Sequence, residues 1–293
     1  MTILITGANG QVGRQFAEGP NKTGRQLLCL TRRQLDITDP DAVHAVLTDR
    51  RPALVINAAA YTAVDRAENE SEAAFLVNEH GCRHLARHCR LFDIPLLHIS
   101  TDYVFDGSKG APYLETDPVQ PLGIYGKSKL AGEQAIRELQ PRHIILRTSW
   151  VFGTHGHNFV KTMLRLGKER EELKIVDDQR GGPTEAADIA ETLLRIGTII
   201  LENGLIEWGT YHFSGKPATS WFGFAQEIFE QAAKTGYRPP RLLPIPTSAY
   251  PLPTPRPANS VFNCSKIREK FGIEQPDWRQ SLAKILFELL RKS

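Results

Sequence analysis

The first eighteen residues constrain this chain more than any other stretch. Ile3-Leu-Ile-Thr6 is a short apolar, β-branched run suited to a buried parallel strand. Gly7, Gly10 and Gly13 follow at three-residue spacing, and Arg14-Gln-Phe-Ala-Glu18 looks helical. A strand that turns this sharply into a helix aims unpaired backbone N–H groups and the positive end of the helix dipole at one spot. A pyrophosphate fits there, and glycines let it approach the backbone. The spacing is G-x-x-G-x-x-G rather than G-x-G-x-x-G, so taken alone the loop could equally be a plain structural turn.

The pattern downstream favours the nucleotide reading. Arg25–Leu30, Leu54–Asn57, Pro95–Ser100 and His143–Arg147 read as strands. Helical stretches are expected from Asp39, over Ser71–Cys89 and over Lys127–Leu139. This alternation argues an α/β fold, a Rossmann-type doubly wound parallel sheet with helices on both faces. After residue 155 the rhythm loosens, although Trp221–Lys234 and Ser281–Arg291 still look amphipathic. The expected division is a dinucleotide-binding domain over 1–155, rejoined by parts of 183–213 and 245–262. A smaller mixed α/β domain over 156–293 would mainly bind substrate. A proline-rich stretch (Pro246, Pro251, Pro253, Pro255, Pro257) reads as an ordered crossing between them.

The 293 residues carry a net charge of +3 with mixed signs, which gives no reason to expect nucleic acid as a partner. No run of eighteen apolar residues occurs, and the start lacks a basic segment followed by an apolar one. Neither a membrane span nor a secretory signal is expected. Cys29, Cys82, Cys89 and Cys264 lack metal-site or redox-motif spacing, so reduced thiols in a cytoplasmic protein are expected. His80, His84 and His88 recur at helical spacing beside Cys89. Without a further ligand nearby they read as the solvated face of a peripheral helix, and no metal is expected. His155 and His157 read as loop residues near the substrate.

The chemistry enters at Tyr125-Gly-Lys-Ser-Lys129. Residues four apart share a helix face. A tyrosine is a poor acid–base group at neutral pH, but an adjacent ammonium favours the phenolate and lowers its pKa. A surface Tyr–Lys pair is the bland alternative. Thr101 should emerge at the carboxyl end of its strand, where a hydroxyl could meet a substrate carbonyl, with Asp102 beside it for sugar hydroxyls. Both could equally cap a turn. Asn57-Ala-Ala-Ala60 ends another strand with small residues, which would let a cofactor pass close.

These motifs together resemble the extended short-chain dehydrogenase/reductase family. The residues that carry the resemblance are Ile5-Thr-Gly-Ala-Asn-Gly-Gln-Val-Gly13, Leu35-Asp-Ile-Thr38, Asn57-Ala-Ala-Ala-Tyr-Thr-Ala-Val-Asp65, Ser100-Thr-Asp-Tyr-Val-Phe105, Tyr125-Gly-Lys-Ser-Lys-Leu-Ala-Gly-Glu133, Arg147-Thr-Ser-Trp-Val-Phe152, and Pro246-Thr-Ser-Ala-Tyr-Pro251 with Arg256-Pro257. They span essentially the whole chain, and several are particular to the branch that reduces dTDP-linked sugars.

The resemblance implies reduction of the C4 keto group of dTDP-4-dehydro-β-L-rhamnose, a dTDP-linked 4-keto-6-deoxy sugar. Tyr125 would protonate O4, Lys129 would tune Tyr125 and hold the nicotinamide ribose, and Thr101 would polarise the carbonyl. Asp102, Tyr103, Trp150 and Asn158 would contact the substrate, with Arg256 a further contact. Gly7, Gly10, Gln11, Val12 and Gly13 would hold the pyrophosphate, Asp36 and Ile37 the adenine, and Ala60, Tyr61 and Thr62 the ribose–nicotinamide half. Arg32 and Arg33 follow the second strand where a ribose-reading carboxylate often stands, which favours NADPH, with NADH as the alternative. A homodimer accords with the resemblance, though no interface stripe stands out.

Two other functions stay open at this point. One is a sugar-nucleotide epimerase. The other is a noncatalytic NADP-binding regulatory subunit, resembling that of methionine adenosyltransferase. A dehydratase is disfavoured, since Thr101-Asp-Tyr103 lacks the extra carboxyl group that resembles the elimination apparatus.

Overall fold

The computed structural model describes residues 1–21, 23–203 and 206–291. Its main sheet contains β1 (Thr2–Thr6), β2 (Gln26–Leu30), β3 (Leu54–Asn57), β4 (Leu96–Thr101), β5 (His143–Thr148) and β6 (Gly209–His212). The order is β6-β5-β4-β3-β1-β2, and every pairing is parallel. The chain winds outward from β1 to β2, then returns to the other side of β1 for β3. That reversal is a topological switch point, and ligands bind outside the carboxyl ends of the strands there.

Helices α1 (Gln11–Glu18), α2 (Pro40–Arg50), α3 (Gly81–Leu91), α4 (Ile124–Leu139) and α6 (Ala186–Asn203) cover the sheet's two faces, while α5 (Phe159–Glu169), α7 (Trp221–Ala233) and α8 (Trp278–Arg291) lie beyond it. Because strand side chains alternate, β1 serves two cores at once. Ile3 and Ile5 pack with Phe16 of α1 and Ile189, Leu193 and Ile196 of α6. Leu4 packs on the opposite face with Val43 and Leu47 of α2, Leu85 and Cys89 of α3, and Ile136 of α4. Each such side chain contributes about 1.5–3 kcal/mol by leaving water, which makes the two-sided strands the rigid frame of the molecule.

A third core lies apart from these two. Phe152, Val160, Phe224, Ile228, Trp278 and Leu282 join α5, α7 and α8 over a two-stranded sheet of Glu172–Val176 and Arg241–Ile245. Between these elements, α6 and β6 return the chain to the main sheet.

Local signals explain several boundaries. Asp39 caps α2 by accepting from the Asp41 and Ala42 amides at 3.0 and 3.1 Å, with Pro40 in the first helical position. The helix expected from Lys127 starts at Ile124, which brings Tyr125 into its first turn. Gly123 offers that helix no side-chain cap; Glu68 Oε1 accepts the Ile124 N–H at 2.9 Å. The carboxylate also suits the positive end of the helix.

The helical stretch expected over Ser71–Cys89 differs in two respects. It widens into a π-helical turn at Leu76–His80 before α3 continues to Leu91. It is also not peripheral, because Gly81, Cys82, Leu85, Ala86 and Cys89 are buried beneath the sheet. His84 and His88 are half-buried rather than solvated, with Nδ1 contacts to the Ile37 and His84 carbonyls. Among the described residues no helix is long and apolar enough to cross a membrane.

Candidate active site

The glycine loop is built by contact with the end of β3. Gly7 has φ +70°, and a Cβ there would lie 2.6 Å from the Ala59 backbone nitrogen. A Cβ on Gly13 would sit 2.0 Å from the Gly7 carbonyl oxygen. The turn closes through the Gly10 N–H and Gly7 carbonyl at 2.9 Å. Gly10 then caps α1 without a side-chain hydrogen bond, so the first-turn amides of Gln11, Val12 and Gly13 face outward. A glycine-lined turn ending in bare helix N–H groups fits a pyrophosphate. Gly13→Ala is expected to abolish NADPH binding and destabilise the fold, read by cofactor fluorescence and thermal melting. Cofactor binding that survived with wild-type affinity would contradict that fit.

Gln11 contributes its backbone here; its side chain is engaged elsewhere. It donates to the Val151 carbonyl at 3.2 Å and accepts from Asn158 at 2.7 Å, tying the loop to the segment after β5.

Beyond β2, Arg32 Nε lies 3.0 Å from Asp36 Oδ2, and Arg33 is exposed. Burial pushes the Asp36 carboxyl up, but Thr38 and Arg32 outweigh it and hold the group below the usual range. Asp36 accepts from the Thr38 amide and hydroxyl at 3.0 and 2.8 Å. Ile37 departs from its expected place, since its side chain is 3% exposed and packs in the core under Gly81. Its carbonyl lies 3.3 Å from His84 Nδ1. Ala60, Tyr61 and Thr62 form the wall after β3. Asn78 braces that wall by accepting from the Tyr61 amide at 2.9 Å and donating to its carbonyl at 3.0 Å. Asn78 also donates to Ser128 Oγ at 2.9 Å, which links the wall to α4.

The residues expected to do chemistry converge where β4 ends and α4 begins. Thr101 caps the short turn Asp102–Val104, accepting from the Tyr103 amide at 3.2 Å. It therefore serves the capping role as well as facing the site. Its hydroxyl also acts on the Tyr125 phenol, favouring the phenolate. Tyr103 lies edge-on to Tyr125, with ring centroids 5.4 Å apart at 74°. Gly126 permits this, because a Cβ there would come within 2.2 Å of the Tyr103 carbonyl oxygen.

Lys129 does not lower the Tyr125 pKa in the way its spacing suggests. Burial pushes the phenol up to about 12; Thr101 works against that and Asp102 with it. Lys129 Nζ is 3.0 Å from His98 Nε2 and 2.7 Å from the Ile99 carbonyl, turned toward β4.

Two expected substrate contacts are turned into the protein. Asp102 is 3% exposed, and burial raises its carboxyl to about 6 against the Ser260 and Thr101 hydroxyls. It underpins Thr101, whose hydroxyl lies 3.2 Å from Asp102 Oδ1. Asn158 is a helix cap and a latch. Its Oδ1 accepts the Lys161 amide at 3.2 Å, while its NH2 donates to Gln11 and the Gly153 carbonyl at 2.7 and 2.8 Å.

Trp150 and Arg256 are each held by neighbouring side chains. Trp150 has φ +44°, strained for a bulky residue, and stacks on Trp221 at 3.7 Å and 6°. Gly181 lets it lie flat, since a Cβ there would be 2.3 Å from the indole. Arg256 holds Asp65 through both carboxylate oxygens at 2.8 and 2.7 Å and sits 5.8 Å over the Tyr103 ring. The proline-rich crossing thereby docks on the short helical turn Val64–Ala67, helped by Thr254, which is hydrogen-bonded to Val64 and Glu68. His155 lies 3.0 Å from Glu18, beside α1.

Residues missed in the sequence include Trp221, His98, Asn57 and Asn78. His98 interrupts the apolar run of β4 and Asn57 closes that of β3, and a polar side chain inside a buried strand requires a partner. That was the available signal. Trp221 carried none beyond its place at a helix start.

Comparison with known proteins adds independent findings. The family model described as RmlD substrate binding domain matches residues 1–291. A dTDP-4-dehydrorhamnose reductase of Aggregatibacter actinomycetemcomitans is 46% identical over 286 residues, covering 97% of each chain. One from Burkholderia thailandensis is 46% identical over 297 residues, covering 99% of each. The crystal structure of a dTDP-4-dehydrorhamnose reductase from Bacillus anthracis in complex with NADP is similar with a TM-score of 0.90. It is 40% identical, with 98% of this chain and 99% of that one covered.

Proposed function

Since the chain belongs to the RmlD substrate binding domain family, we propose that it reduces dTDP-4-dehydro-β-L-rhamnose to dTDP-β-L-rhamnose with NADPH. The observation that carries the chemistry is the meeting of the Tyr125 phenol and the Thr101 hydroxyl at the carboxyl end of β4, where Thr101 works against the burial that raises the phenol. A reduced nicotinamide supplies the hydride that reaches C4. Tyr125 gives its proton to O4, and its raised pKa keeps it protonated at neutral pH, as an acid must be. Thr101 donates to the same oxygen as negative charge develops there, where a hydrogen bond accelerates the step rather than merely binding substrate. The product gains one hydride at C4 and one proton at O4, and Tyr125 is left as phenolate until it regains a proton.

The stacked Trp150–Trp221 pair, closed by Gly181 on its other face, offers the deoxysugar an aromatic edge, and Tyr103 closes the side next to Tyr125. Asp102 and Asn158 act indirectly, by holding Thr101 and the segment after β5. The main sheet and its helices form the dinucleotide half and the third core mainly the substrate half, in a cytoplasmic enzyme. An adequate test follows the reduced-nicotinamide absorbance with the dTDP-keto sugar generated in situ. Loss of absorbance that needs the sugar supports the reading; tight NADPH binding without sugar-dependent loss would favour the regulatory subunit.

Cofactor choice rests on Arg32. A 2′-phosphate near Asp36 would meet a carboxylate unless Arg32, 3.0 Å from it, stands between. Arg32→Ala is expected to raise the KM for NADPH by about tenfold, the value of one modest charge-assisted hydrogen bond. The KM for NADH should hardly change. Equal changes for both cofactors would remove Arg32 from the phosphate site.

A further inference from the structure

Behind the site runs a line of buried polar side chains that the steps above leave unused. Asn57, His98 and Lys129 are 0%, 0% and 2% exposed. Groups this deep must match donor to acceptor, and one end of the line has a fixed direction. The Ala59 backbone N–H can only donate, and it lies 3.1 Å from Asn57 Oδ1. Thr6 Oγ1 donates to the same oxygen at 2.7 Å. The other end of the amide is therefore its NH2, which faces His98 Nδ1 at 3.0 Å. With Nδ1 accepting, a neutral His98 carries its one proton on Nε2. That N–H points at Lys129 Nζ, 3.0 Å away. An ammonium has three donors and no lone pair, whereas an amine has one lone pair. Only the amine can accept from His98 while donating to the Ile99 carbonyl at 2.7 Å.

We propose that His98 is a positioning residue that holds Lys129 as a neutral amine in the cofactor-free protein, so that Lys129 takes up a proton as the cofactor binds. The proposal rests on the reading of Lys129 as a cofactor contact. Surrounding groups agree with it. Cys82 of α3 places its Sγ 3.9–4.0 Å from the His98 ring nitrogens, and its thiol is pushed up to about 11 by burial, so it stays uncharged. Glu133 and Arg137 of α4 act on His98 through charge. Glu133 is already committed to Arg147 and Arg137, which limits its pull on a Lys129 cation. Burial lowers both Lys129 and His98, in the direction of the neutral forms. A proton gained by Nζ leaves it no lone pair for His98, and the head group must turn away from Nε2. Positive charge then appears beside Tyr125 only in a loaded site, where it can stabilise the phenolate that proton donation leaves.

Two measurements on the full chain test this. Histidine-labelled protein without cofactor, with His98 assigned through Leu97 and Ile99, reports the tautomer by 15N NMR near neutral pH. The Nε2–H form is expected; an Nδ1–H form or an imidazolium would overturn the proposal. This reading needs neither cofactor nor sugar, so its failure is separate from failure of the reductase reading. Calorimetry of NADPH binding in buffers of different ionisation enthalpy counts the protons exchanged. Run near pH ~8, above the second ionisation of a phosphate monoester, it is expected to show uptake of about one proton per NADPH. Lys129→Met should abolish that uptake. No uptake by the wild type, or an uptake that persists in Lys129→Met, would overturn the link between Lys129 and cofactor binding.

Discussion

Tyr125→Phe is expected to lower kcat by about 10²–10⁴-fold, the usual worth of a positioned general acid, while NADPH binding is preserved. The substitution removes one hydroxyl and keeps the ring that Tyr103 meets edge-on at 5.4 Å. Its loss leaves Thr101 to face the developing oxyanion alone, and a hydroxyl that still caps the Asp102–Val104 turn cannot replace a proton donor. Single-turnover rates and cofactor fluorescence separate the two effects. A parallel loss of cofactor affinity and rate would make Tyr125 a binding residue instead.

Glu133→Ala is expected to cost about 3–5 kcal/mol of stability, the range for removing one partner of a buried ion pair. Glu133 and Arg147 have side chains 0% and 2% exposed, joined by hydrogen bonds of 2.9 and 2.7 Å. The remaining guanidinium would keep the Phe105 ring 5.1 Å from Arg147 Cζ, but no carboxylate. Burial alone would raise the Glu133 carboxyl, yet the Arg147 charge and hydrogen bonds carry it down to about 2 from 4.5. A depressed carboxylate pKa stabilises the fold fully above the unfolded value and ceases to do so as pH falls through the folded one. The wild type should therefore lose this contribution from about pH 4.5 downward to about 2, while Glu133→Ala lacks it throughout. Urea unfolding at neutral and acid pH reads both. A midpoint unchanged at neutral pH would show that the pair contributes nothing net.

Residues whose role is local were legible in sequence. The strand–glycine–helix start, the Asp39-Pro40 cap and the four-residue spacing of Tyr125 and Lys129 depend on neighbours within a few positions. The parallel sheet followed from its alternating elements, because a βαβ crossover admits few arrangements. What stayed hidden depends on contacts distant in the chain. Asn158 looked like a substrate ligand, and its partner Gln11 stands far away at the start of α1. Lys129 shares a helix with Tyr125, but a buried histidine on β4 decides where its head group points. The same holds for Trp150, whose orientation comes from Trp221 on one side and Gly181 on the other. His84 and His88 looked solvated because their polarity was visible and the packing of α3 under the sheet was not.

The most direct test of the central claim is the fate of a labelled hydride. With NADPH deuterated at the transferred position and dTDP-4-dehydro-L-rhamnose as substrate, the expected products are dTDP-rhamnose carrying deuterium at C4 and oxidised cofactor in equal amount. A single configuration at C4 should result, set by the fixed placement of Tyr125 and Thr101. Epimerised sugar with the label retained on the cofactor, or binding of both molecules without transfer, would contradict that claim.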